Sequence, residues 1–247
     1  MGGSVNLQIE SWNAIAPGLD NCQAWTQWIR DPVPIDASLG KLDLSAVPAM
    51  LRRRFNTLGK CVMAAALPLV EEIDAIPGIF ASRHGDTELS LAMLSDIGRE
   101  EPMSPTNFSL AVHNAISGLF TIARKDTSEV TAIAAMEDLV LQTLFEAVGQ
   151  LQHRERVLCV IYDIPLPEFY RQHANDAGEA FPFAVAMILA RSGAAGLALE
   201  FTSEANGANA GAEESEFLRL MQLLCGISDE IRLSRSEASW RIGRINK

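Results

Sequence analysis

Apolar residues recur along this chain at two spacings, and the segments they mark alternate between strand and helix periodicity. Residues 5–11, VNLQIES, alternate apolar with polar positions and predict a half-buried strand. Residues 44–66 carry Met50, Leu51, Phe55, Leu58 and Val62 at helical intervals; Ser45 opens this helix and Pro68 follows its end. A short apolar strand, Ile79-Phe80-Ala81-Ser82, closes at His84-Gly85, and residues 87–97 form another helix through Leu89, Leu91, Met93 and Leu94. The stretch 104–151 predicts the centre of the fold, two buried helices joined by a short strand. Ser104 caps the first and Pro105 suits its first turn. Phe108, Val112, Ala115, Ile116, Leu119 and Ala123 then keep helical spacing, and Ala111, Ser117 and Gly118 leave room for a second backbone. Residues 129–135 supply the extended link, and Met136, Val140, Leu144, Val148 and Leu151 mark the second helix.

Residues 157–162, VLCVIY, form an uninterrupted apolar run, the pattern of a strand covered on both faces. Asp163, Pro165 and Pro167 end it, and residues 168–174 form a short turn or helix. Residues 184–190 and 193–201 are two more apolar segments, either antiparallel strands or a strand and a helix. Residues 202–215 hold few large apolar groups and predict a mobile loop. An amphipathic helix over 216–227 and a last short strand through Trp240, Ile242 and Ile245 complete the chain. This order predicts a layered α/β domain. Trp12, Trp25 and Trp28 cluster around Pro17-Gly18, either as a local anchor for a loop or as part of a partner interface.

Composition narrows the functional classes. At 247 residues and 48% hydrophobic, the chain can bury a substantial core. A net charge of −11 with scattered Lys and Arg argues against nucleic acid and against membrane insertion or an anionic lipid surface. Arg52-Arg53-Arg54 is the one basic run, read as a solvated helix end or as a docking site for an acidic carrier protein. The four cysteines show neither paired nor metal-ligand spacing, so neither a metal nor a cofactor is expected. That cysteine usage makes a reducing cytoplasm the expected setting, and no apolar run is long enough to span a bilayer.

Candidate chemistry is sparse. His113 beside Asn114 either polarises a carbonyl or is a hydrogen-bonded histidine fixing its helix. Cys159 is a nucleophile in one reading and an inert buried thiol in the other. His84 sits at a strand end, where α/β proteins place functional groups, or caps a loop. Glu137-Asp138 near a helix start suits the helix dipole, with a general-base role as the alternative. His153 and His173 carry no pattern, and glycine-rich phosphate loops, G-x-S-x-G and zinc spacings are absent from the sequence.

The segment FSLAVHNAISG (108–118), with SWNAIAPGL (11–19), GIFASRHGD (78–86) and VLCVIYDIPLPEFY (157–170), resembles the amino-terminal half of the β-ketoacyl synthases of the thiolase-like superfamily. The same segments are similar to the small synthase-like proteins of bacterial aryl polyene pathways. The resemblance implies an α/β, truncated thiolase-like fold, layered α/β/α with a buried central helix. It implies a single domain over 1–247, with 1–170 as the synthase half and 171–247 as a shortened, degenerate second half. In such enzymes a T-A-C-[AS] turn places its cysteine at the head of a buried helix. Here Thr131-Ala132-Ile133-Ala134 matches, so Ile133 takes the nucleophile position. The family's G-T-N-A-H segment has no counterpart, and no histidine follows His173. The implied function is a catalytically silent, chain-length-factor-like subunit. It would pair with an active β-ketoacyl synthase as a heterodimer and receive chains from acyl carrier protein in an aryl polyene or fatty-acid-like pathway. Phe108, Val112, His113, Asn114, Ile116, Leu119 and Phe120 are its expected interface and tunnel residues. The alternatives are a free-standing acyltransferase or thioesterase using Cys159 or His113, and an acyl-chain binding protein.

Overall fold

Eight strands form one mixed sheet in the computed structural model, which describes residues 4–36, 38–174, 178–191, 197–205, 214–235 and 238–244. In chain order the elements are β1 (Ser4–Ile15), α1 (Cys22–Arg30), α2 (Ala49–Arg52), α3 (Thr57–Ala66), β2 (Gly78–Ser82), α4 (Thr87–Gly98), α5 (Pro105–Leu110) and α6 (Ala115–Arg124). There follow β3 (Val130–Ala134), α7 (Leu139–Gln150), β4 (Arg156–Asp163), α8 (Glu168–Arg171), β5 (Phe183–Ala190), β6 (Leu197–Ala205), α9 (Glu216–Leu224), β7 (Glu230–Arg235) and β8 (Ala238–Arg244). The strand order is β3-β2-β4-β5-β1-β6-β8-β7. β2 runs parallel to β3 and β4, and every other pairing is antiparallel. β1 joins the two parts of the sheet, since its carboxyl-terminal half pairs with β5 and its amino-terminal half with β6.

The run at β4 is apolar throughout because both faces of the sheet are covered. Val157, Cys159 and Ile161 enter one core with residues of α1, α7 and α9, while Leu158, Val160 and Tyr162 enter the other with α3 and α6. β5 divides in the same way, with Val185, Met187 and Leu189 on the first side and Ala184, Ala186 and Ile188 on the second. The result is an α/β/α layered fold.

Helix α3 is buried along nearly its whole length. Asn56 caps it by accepting from the Gly59 amide at 2.9 Å, and Ala64, Ala65 and Ala66 let it lie close to the sheet. Asn13 of β1 donates through Nδ2 to the carbonyls of Ala64 and Ala65, at 3.2 and 3.1 Å. The helices buried most fully are thus α3 and α7: α7 is the second of the two expected within 104–151, while α3 takes the place expected of the first. Among residues 104–124, α5 has no buried residue, residues 111–114 break the helix, and only α6 reaches the core. β3 is an edge strand with alternating exposure rather than a buried link. The helix expected over 44–66 is likewise interrupted, at residues 53–56, by the Asn56 cap.

Other differences are local. The segments at 184–190 and 193–201 give strands β5 and β6, which flank β1 instead of pairing with each other. Residues 202–205, expected in a loop, continue β6, and the expected loop residues 206–213 lie outside the described residues. Neither α1 nor β7 was expected. Of the three clustered tryptophans, Trp12 and Trp28 are half-buried. Trp25 is fully buried, donates its Nε1–H to Ala14 O at 3.0 Å, and stands edge-on to Trp28 and Phe217 at 6.0 and 5.6 Å.

Candidate functional site

The carboxyl ends of parallel strands and the amino end of the following helix are where α/β folds collect functional groups. Here that edge holds Ser82 at the end of β2, Asp163 at the end of β4 and Asp138 at the head of α7. Ser82 Oγ donates to Asp163 Oδ1 at 2.8 Å and accepts from the Gly85 amide at 2.8 Å, while the Arg83 amide donates to Asp163 Oδ2 at 3.0 Å. Burial raises the Asp163 carboxyl to about 6 against the opposing pull of these donors and of the Arg83 charge. Ser82 has no exposed surface, so its hydroxyl pins the loop after β2 to β4 and cannot meet a substrate.

Gly85 has φ +65°, and a Cβ there would stand 3.0 Å from His113 Nδ1. The other nitrogen of His113, Nε2, is 2.7 Å from Ile133 O. His113 therefore ties the segment between α5 and α6 to strand β3, with the β2 loop lying close against its ring. Asn114 is exposed at the start of α6.

The head of α7 is acidic. Asp138 is buried in a left-handed conformation, φ +57°, and its side chain does not cap the helix. The Val140 amide is bonded instead by Glu216 Oε2 of α9, at 3.1 Å. Burial pushes the Glu216 carboxyl up to about 7, and the neighbouring Asp138 adds to the rise, against the Val140 amide and the charges of Arg219 and Arg83. Glu216 binds its proton more tightly folded than unfolded. Its contribution to stability is complete below about pH 4.5, its ordinary value, and is lost as pH rises through about 7. Glu216→Gln is therefore expected to flatten the fall in melting temperature between about pH 5 and about pH 8, removing a difference of about 2 kcal/mol. Thermal melts of both proteins at the two pH values check this.

The cysteines stand away from this edge. Cys159 lies fully buried within β4, its thiol raised well above the ordinary range by burial, and Cys61 is buried in α3 with its thiol pushed up to about 12. No group of His, Cys, Asp or Glu among the described residues has metal-binding geometry. A cavity of about 410 Å³ opens beside α3, α5 and α6, lined by Phe55, Gly59, Leu110, Ile116 and Leu119 with Arg53 and Arg54 at its side.

Residues 25–241 match the family model of the β-ketoacyl synthase N-terminal domain. The chain belongs to the β-ketoacyl synthase family. Among solved structures it is similar to a chain of the ketosynthase ApeO in complex with its chain length factor ApeC from Xenorhabdus doucetiae. That match has 28% identity and a TM-score of 0.80, over 97% of this chain and 100% of that one. The ishigamide ketosynthase/chain length factor (14% identity, 81% and 67% covered, TM-score 0.62) shares the fold. So does the AntDE:AntF complex of a type II polyketide ketosynthase with its acyl carrier protein (12% identity, 98% and 100% covered, TM-score 0.65). No curated protein matches the chain by sequence.

Thr131-Ala132-Ile133-Ala134 is not a turn: all four residues lie in β3, Ile133 is paired with Ala81 of β2, and the β-branched side chains favour the strand. The residue at the head of the next helix is Asp138. The seven expected interface and tunnel residues also separate. Phe108 and Val112 are 58% and 50% exposed, whereas Ile116, Leu119 and Phe120 are buried in the core beneath α6. The sequence could not bring Asp138, Asp163 and Glu216 together, because the carboxylates come from three distant segments.

Proposed function

We propose that this chain is a catalytically silent, chain-length-factor-like partner of an active β-ketoacyl synthase. The observation that carries the reading is the head of α7, where synthases of this fold place a nucleophilic cysteine. At the α7 head of this chain stands Asp138, and the Val140 amide, which would otherwise stabilise an anion, is bonded by Glu216 of the same chain. Condensation needs a thiolate and donors for an oxyanion. Two carboxyl groups at the helix head disfavour both. Similarity along the whole chain to a member of a ketosynthase–chain length factor complex supports the same reading.

Edge strand β3 and the exposed Phe108 and Val112 suit the contact with the synthase. The outer side of the strand is paired with no other strand among the described residues, and the two side chains offer an apolar surface. The chain's part in product length is steric. Ile116 and Leu119 face the 410 Å³ cavity, so they set how much room is left near the shared acyl tunnel. Acyl carrier protein delivers the growing chain to the complex, in an aryl polyene or fatty-acid-like pathway. Co-expression with candidate synthases tests this: Ile116→Ala is expected to shift the product distribution to longer chains, and Cys159→Ser to leave condensation unchanged. Loss of condensation in the serine variant would favour a free-standing enzyme instead.

A further inference from the structure

Two cysteines that are far apart in the sequence meet where α1 lies against α9. Cys22 occupies the first turn of α1 and is exposed, and Cys225 caps the end of α9 and is half-buried. The helices are held face to face by the edge-on contact of Trp25 with Phe217, 5.6 Å between ring centres. Between the thiols stands Thr26. Its hydroxyl donates to the Cys22 carbonyl at 2.7 Å, which leaves its oxygen to accept from a thiol. Cys22 Sγ is 3.9 Å from that oxygen, and Cys225 lies within side-chain hydrogen-bonding reach of both Thr26 and Cys22. Arg244 of β8 completes the surroundings by donating from Nε to Leu223 O at 3.2 Å and from Nη2 to Leu224 O at 3.4 Å.

We propose that Cys22 and Cys225 form an oxidisable thiol pair that closes into a disulfide between α1 and α9 when met by a small-molecule disulfide such as oxidised glutathione. The Cys22 thiolate attacks one sulfur of the reagent, forming a mixed disulfide and releasing one small thiol. Cys225, deprotonated, then attacks the Cys22 sulfur and releases the second. Two protein thiols are oxidised, the reagent is reduced to two thiols, and the protons remain with water and the released thiols. Exposure makes Cys22 the entry point. Burial pushes the Cys225 thiol up to about 11, and the neighbouring Cys22 adds to the rise against Thr26 and Arg244, so closure is the slower step and speeds up with pH. The bond would fasten the carboxyl end of α9, the helix whose amino end brings Glu216 to α7.

The test is treatment of the reduced, full-length chain with oxidised glutathione, followed by intact mass and a non-reducing peptide map. The expected result is loss of two hydrogen atoms and a Cys22–Cys225 linked peptide, with Cys61 and Cys159 unchanged. Closing so long a loop is expected to raise the melting temperature by about 10 °C, reversed by reductant. Cys225→Ser should instead hold glutathione on Cys22, with no rise. A wild-type chain that keeps glutathione on Cys22 while Cys225 still takes an alkylating reagent would overturn the proposal. So would a chain that takes up no modification.

Discussion

Exchanging both Phe108 and Val112 for aspartate is expected to weaken association with the synthase partner by about 100-fold or more, the effect of removing an apolar anchor from an interface. The chain itself should keep its fold. Both side chains are at least half exposed, and α5 buries none of its residues, so the change in stability should stay within about 0.5 kcal/mol. Titration of the purified variant against the synthase, with a thermal melt of the variant alone, separates loss of binding from loss of structure. An unchanged affinity would move the interface elsewhere and leave the exposed α5 surface without a role. The neighbouring edge of β3 makes the prediction specific. Val130 is 37% exposed, and Ala132 and Ala134 are exposed on the same alternating face, so a partner has both backbone groups and apolar side chains to meet.

Trp25→Ala is expected to cost about 4 kcal/mol, the largest stability loss of any single substitution considered. The ring is fully buried, its Nε1–H is bonded to Ala14 of β1, and it touches Trp28 and Phe217. It therefore ties α1, the sheet and α9 together. For a chain of this size the melting temperature should fall by about 10 °C. Trp25→Phe keeps most of the apolar contact but leaves the Ala14 carbonyl without its donor, at a cost of about 1–2 kcal/mol. Equal effects for the two variants would mean that the hydrogen bond, rather than packing, holds α1 in place.

What the sequence disclosed was set by local pattern. β4 was legible because covered strands leave a continuous apolar run, and the two prolines that follow fix its end. The Phe108–Phe120 segment kept helical spacing but lies across a break, since spacing records which positions are apolar and not whether a cap or turn intervenes. α1 escaped notice because CQAWTQWIR has a narrow apolar face made chiefly by its tryptophans. β7 is rich in charge and pairs only with β8, and its one apolar core residue, Ile231, among the described side chains gave too short a pattern to mark it. At the candidate site, His84 follows the end of β2, on the edge that also holds Ser82 and Asp163. The acidic head of α7 was half visible in Glu137-Asp138. Its second carboxylate, Glu216, and the thiol partner of Cys22 are contributed by α9, and only the folded chain places them.

Sequence similarity and fold place the chain among the β-ketoacyl synthases, and in the function proposed above the acids at the α7 head stand where a thiol would act. The two readings of that difference separate in one measurement. The co-expressed complex of this chain with its synthase is loaded with an acyl thioester, and each subunit is weighed intact. The expected result is a one-to-one complex with the acyl group on the synthase subunit alone. An acyl group covalently attached to this chain would contradict it.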